Sequence, residues 1–193
     1  MVLPLIILGA LLFGILLWVL GSISKRKRDA IWRQLAGELG AEFVEGGFFR
    51  SSKVQAHVKG CTVTLDIYSM PSGDSSTTYT RLKAPLQDMQ GLQFTLSRKS
   101  LVTKLDKALG VKAIATGDAE FDRAFVIRGN DEAKVCALFS SQKIRQLLQT
   151  EPSATGFLRG NVLDLEVEGD LTDIPRLKSL FEVFGEMLNQ LVG

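Results

Sequence analysis

The chain begins with VLPLIILGALLFGILLWVL, nineteen residues from Val2 to Leu20 without one polar side chain. A segment this apolar leaves water readily, and out of water the backbone must satisfy its own N–H and C=O groups, which a helix does within one stretch of chain. At about 1.5 Å rise per residue the helix would be roughly 28 Å long, close to a hydrocarbon core of about 30 Å. The expectation is an uncleaved anchor over residues 1–24. A secretory signal would carry a charged n-region and a small-residue cleavage site, whereas no ionisable side chain precedes Lys25 and Gly21-Ser22-Ile23-Ser24 is a poor cleavage sequence.

Lys25, Arg26, Lys27 and Arg28 follow directly. The positive-inside rule then puts the N-terminus outside and residues 25–193 in the cytoplasm of a single-pass protein. The same four side chains are the candidate membrane-surface residues, each attracted to anionic lipid by ~1 kcal/mol. Trp18 suits the interface. Ala10 and Gly14 form a small-xxx-small pair through which two such helices could dimerise.

All 23 Lys and Arg and all 21 Asp and Glu lie beyond residue 24, so the remainder is an ordinary charged chain, long enough for one core. Residues 25–150 carry 20 basic and 13 acidic side chains. That excess is too diffuse for nucleic acid, which calls for a clustered basic stripe. Two cysteines, Cys61 and Cys136, and one histidine, His57, cannot form a closed four-ligand zinc site in one copy. Both cysteines read as small buried hydrophobes in a reducing compartment.

Periodicity divides the rest. Ile31, Trp32, Leu35 and Leu39 mark a helix ended by Gly40,. Alternation follows at Val54, Ala56, Val58 and at Cys61, Val63, Leu65, Ile67, then a loop over Met70–Ser76, a strand TTYTRLKA and another at Leu92, Phe94, Leu96,. Leu101, Leu105 and Leu109 suggest a helix between Ser100 and Gly110. A strand FDRAFVIRG comes next, then a helix capped by Asn130, a break at Ser140-Ser141, a second helix, and a hairpin turning at Gly160-Asn161,. From about Asp173 to Leu191 an amphipathic helix closes the chain, with Leu177, Leu180, Phe181, Phe184, Met187, Leu188 and Leu191 in one stripe,. The fold class is α+β: one N-terminal transmembrane helix, then a mostly antiparallel sheet with short helices and the C-terminal helix packed on it.

No constellation announces catalysis or a cofactor. His57 falls on the face opposite the apolar residues, and no GxSxG, HExxH, P-loop or GxGxxG occurs,. Asp164, Glu166, Glu168 and Asp170 alternate as a solvated acidic face on an exposed strand; same-face residues are about 6.6–6.8 Å apart, too far to share a calcium ion.

The densest local pattern is TGDAEFDRAFVIRGND, Thr116 to Asp131. Its FDxxFxIxGND core, behind a hydroxyl-rich strand and ahead of two short helices, resembles uncharacterised prokaryotic proteins that place such a domain behind one membrane helix. The resemblance implies the anchored layout and no activity. Phe121 and Phe125 read as core anchors, Asp118 and Asp122 as partners of turn backbone, and Gly129 as the pivot into the next helix. The functional expectation is a non-enzymatic, membrane-tethered domain acting on a protein partner or the lipid surface. The alternative is a carrier or sensor of an apolar small molecule, followed by an enzyme with an unrecognised site.

Overall fold

The computed structural model describes residues 24–47, 50–73, 75–101, 113–151 and 153–193. The apolar run from Val2 to Leu20, with Trp18, Ala10 and Gly14, lies outside them, as does most of the helix expected between Ser100 and Gly110. Among the described residues no helix is long and apolar enough to cross a membrane.

Alternating side chains produce one nine-stranded sheet, antiparallel throughout, in the order β1-β2-β3-β4-β9-β8-β5-β7-β6. The strands are β1 Glu42–Val44, β2 Lys53–Val58, β3 Cys61–Ser72, β4 Ser75–Pro85, β5 Phe94–Arg98, β6 Ala113–Ile114, β7 Phe125–Gly129, β8 Thr155–Arg159 and β9 Val162–Glu168. A single rung shows why the sheet buries one side. Phe43, Val54, Leu65, Leu82, Leu165, Gly156, Leu96, Ile127 and Ile114 face one another across all nine strands. Period-two alternation sends every one of them to the same face.

That face is covered by helices. Residues 24–39 form α1; α2 is Ala119–Ala124, α3 Glu132–Phe139, α4 Gln142–Gln149 and α5 Ile174–Val192. The α5 stripe packs as its spacing predicts, with Leu177, Phe184, Met187 and Leu188 fully buried and Asp173 capping the Arg176 N–H. Trp32, Leu35 and Ala36 of α1 enter the same core. Gly40, at φ +62°, ends α1 as its sequence implies, and the Ala41 N–H returns to the Ala36 carbonyl,.

Four expectations are corrected. FDRAFVIRG is not one strand: Asp118 accepts the Glu120 and Phe121 N–H groups and starts α2, and β7 begins only at Phe125. The Met70–Ser76 loop is mostly strand, since β3 and β4 pair out to Ser72 opposite Ser75. Asp131, not Asn130, caps α3; the Asn130 side chain instead ties to Gln93 and Gly91. Finally β9 is the fifth of nine strands and no edge. The hairpin at Gly160-Asn161 is as read, with both residues at positive φ.

Candidate functional site

The other face of the sheet carries no helix among the described residues, and its polar side chains meet at the centre. Two adjacent rungs supply them. One runs Gln55, Thr64, Lys83, Asp164, Phe157, Thr95; its neighbour includes Asp66, Arg81, Glu166 and Thr155. Arg81 makes a two-pronged contact with Asp66, Nε to Oδ1 and Nη2 to Oδ2, both 2.9 Å. Lys83 Nζ reaches Asp66 Oδ2 at 2.8 Å, and Arg81 Nε lies 3.8 Å from Asp164 Oδ1. The Arg81 guanidinium also sits 4.6 Å from the centre of the Tyr68 ring, which stacks on Tyr79.

Asp164 and Glu166 are 6% and 8% exposed, so the solvated acidic face expected of β9 is corrected: long neighbours on β3, β4 and β8 close over its middle. Asp170 has left the strand and pairs with Arg28. Burial pushes the Asp164 and Glu166 carboxyls above their ordinary range, more than Arg81, Lys83 and the Tyr68 hydroxyl pull them down. Burial opposes ionisation at Asp66 too, yet the hydrogen bonds from Arg81 and Lys83 prevail and hold it below the usual range. Tyr68 is raised by burial and by its bond to Glu166. The result is a connected lattice in which two cations face three carboxylates.

The polar groups of Thr116–Asp131 tie its own turn and neighbouring chain ends together. Asp122 accepts from the Thr116 N–H at 3.0 Å, the Thr116 hydroxyl at 2.8 Å and the Gly117 N–H at 3.3 Å. Asp118, besides capping α2, takes Arg145 Nε at 3.0 Å, and Arg145 Nη1 donates to the Phe139 and Ser140 carbonyls at the end of α3. Backbone N–H groups, foremost that of Phe121, together with Arg145, hold the Asp118 carboxyl low. Phe121 and Phe125 are buried and stack at 4.7 Å. Gly129 is no pivot, because its φ is not in the positive region. It makes room instead, since a Cβ there would stand 2.8 Å from Val135 Cγ2 and 3.0 Å from the Gln93 carbonyl.

The four basic residues after the apolar run divide. Arg26 and Lys27 are exposed. Lys25 donates to the Gly47 carbonyl at 3.2 Å, and Arg28, 8% exposed, is turned inward to Asp170 at 3.2 Å and Asp29 at 3.5 Å. One turn on, Trp32 Nε1 donates to the Leu171 carbonyl at 3.1 Å. Neither this clamp nor the central lattice was foreseen from the sequence. The lattice's only signal was the alternation of Asp66 and Asp164 with apolar neighbours, which gives a face and not a partner.

His57 is exposed, and Cys61 and Cys136 are free and half-buried against the core. Among the described residues no three His, Cys, Asp or Glu side chains are placed to hold a metal. Open depressions indent the surface among the described residues. One, of about 320 Å³, lies at the end of β5, β7 and β8 beside Phe94, Arg128, Leu158 and Arg159. Another, of about 300 Å³, lies between α3 and the tail of α5 near Met89, Leu138 and Leu191.

These features define an α+β protein built on a single wide antiparallel sheet with helices on one face. No protein-family model matches the chain, and no curated protein sequence does. Among solved structures it is similar to the crystal structure of the mycobacterial trehalose monomycolate transport factor A, TtfA, with a TM-score of 0.54 over 86% of this chain and 95% of that one, at 10% identity. At that identity the likeness is one of fold.

Proposed function

We propose that the protein is a membrane-tethered, non-enzymatic docking domain on the cytoplasmic side, which assembles with a partner protein through the open face of its sheet. The carrying observation is the clamp on α1. Lys25, Arg28 and Trp32 bond to Gly47, Asp170 and Leu171 within eight residues of chain, so a helix leaving the bilayer would meet the domain without a slack linker. A platform held at one angle suits assembly with another membrane-bound component, where tethering already raises the local concentration. The lattice favours the same reading, because its cations are engaged by their carboxylate neighbours and the face around it offers Phe157, Thr64, Thr95 and Gln55, half-buried. The resemblance to uncharacterised single-span proteins with an FDxxFxIxGND segment implies the same anchored layout.

The test is a photoreactive residue in the full-length protein in its own membrane, placed at Gln55 or Thr95 on the open face and at Gln146 on α4. Adducts to one discrete protein from the first two positions and none from Gln146 are expected. Equal labelling, or none, would reject the open face as the docking surface. Reporter fusions after Gly193 check the side of the membrane: a cytoplasmic reporter should be active and alkaline phosphatase inactive.

The second reading is a carrier of an apolar molecule. It is favoured by the fold neighbour, named as a transport factor for trehalose monomycolate, and by the depression beside Phe94 and Leu158. The α5 stripe gives it no space, for the core beneath is filled by Leu177, Phe184 and Met187. Native mass spectrometry of the protein extracted from membrane would reveal a retained lipid, and Leu158→Trp should displace it.

A further inference from the structure

The β3–β4 hairpin outgrows the sheet. β2 accompanies β3 only as far as Leu65 and β9 accompanies β4 only from Tyr79, so Ser69–Ser72 and Ser75–Thr78 continue as a two-stranded arm without a third strand. The arm ends at exposed Met70, 51% accessible, and Pro71. From Tyr68 to Thr80 the sequence has one charged residue, Asp74, among seven Ser and Thr, two Tyr, Met, Pro and Gly.

Its direction follows from the topology. β1 runs parallel to β3 through antiparallel β2, and α1 runs back against β1 across the turn at Gly40. The start of α1 therefore lies on the edge toward which β3 runs. Contacts fix the level: the Gly169 N–H bonds to the Thr78 carbonyl at 2.8 Å, Thr78 faces Ser69, and Asp170, next in the chain, holds Arg28. From Ser69 to Ser72 the arm adds roughly 10 Å at about 3.3 Å per residue. From Arg28 back to Ser24 the helix adds roughly 6 Å at about 1.5 Å per residue. Arm tip and helix start thus project from the same edge to similar extents, and the apolar segment Val2–Leu20 ends four residues before Ser24.

We propose that the tip of the β3–β4 arm, at Met70 and Pro71, is a second membrane contact that rests in the lipid headgroups beside the point where the chain emerges from the bilayer. This rests on the reading of residues 2–20 as a span. The chemistry fits that depth. Hydroxyls are at home among headgroups, Met70 offers an apolar end, and the single aspartate in the stretch opposes deeper entry into hydrocarbon. Two contacts on one edge, the helix and the arm, fix rotation as well as position.

The test uses full-length protein with Cys61→Ser and Cys136→Ser, reconstituted in vesicles of phosphatidylethanolamine and phosphatidylglycerol, with a nitroxide on Leu12→Cys, Met70→Cys or Gln190→Cys in turn. Collisions with oxygen, which enriches in lipid, are compared with those of a water-soluble nickel chelate. Expected are an oxygen-dominated signal at position 12, a ratio between the two extremes at 70 and a nickel-dominated signal at 190. A lipid signal at 12 with a fully aqueous one at 70 overturns the arm contact and leaves the span standing. An aqueous signal at 12 overturns the span, and the arm proposal with it. If the cysteine-free background does not fold, a benzophenone residue at position 70 of the otherwise unaltered protein replaces the label: a lipid adduct supports the contact, and its absence beside efficient capture at position 12 overturns it.

Discussion

At the scale of single residues, the sheet centre sets up opposite pH dependences. Asp66 titrates below its unfolded value, so its contribution is present above about pH 4 and lost as pH falls through the depressed folded value,. Glu166 titrates above its unfolded value, so the folded state binds the extra proton, and stability falls as pH rises from about 4.3 through the raised folded value,. Glu166→Gln keeps an acceptor for the Tyr68 hydroxyl without a buried charge. Urea unfolding of residues 24–193 should show that variant more stable than the parent at pH 7, with the difference vanishing near pH 4. A parent-like midpoint at pH 7 would mean that Glu166 is fully solvated. Phe125→Ala should lower stability by about 3–5 kcal/mol, since the ring is buried against Phe121,. Asp122→Asn should lower it by only about 1–3 kcal/mol, because an amide oxygen still accepts some of the bonds from Thr116 and Gly117,. Calorimetry of the two variants separates them, and a near-neutral Phe125→Ala would show that the motif is no scaffold.

At the scale of elements, caps decide where helices begin. Ser141→Ala removes the bond to the Ile144 N–H and should cost α4 about 1 kcal/mol, whereas Arg145→Ala should cost more, since it also releases Asp118 and two carbonyls of the α3 terminus. Thermal melts of both rank them. The same elements show what could be read from sequence and why. The α5 stripe, the break at Ser141 and the Gly160-Asn161 turn depend on neighbours within a few residues, and each was legible. The helix that Asp118 caps, at the start of a supposed strand, was not, because Phe121 and Phe125 satisfy helical spacing and Phe125 and Ile127 satisfy strand spacing, and the chain uses both in succession. The open-face lattice was illegible for a different reason: β4 and β9 are brought together from far apart in the chain, and nothing local encodes that Arg81 will stand opposite Glu166.

At the scale of the whole molecule, α1 belongs to the domain as much as to any anchor. A fragment of residues 24–193 should unfold in one cooperative transition, while one starting at Ala41 should not, as it lacks Trp32, Leu35 and Ala36, each 2% exposed or less. Circular dichroism in urea distinguishes the two, and a folded short fragment would remove α1 from the core. The strand order carries a further consequence, in time. β4 is made early, but the strand that covers its edge, β9, begins at Val162, 77 residues after Pro85. At ~5–20 residues per second a ribosome takes roughly 4–15 s over that interval. Throughout it the nascent chain holds Leu82 and Ala84 on a sheet edge that cannot yet close, so the middle of the sheet is the last part of the sheet to come into being.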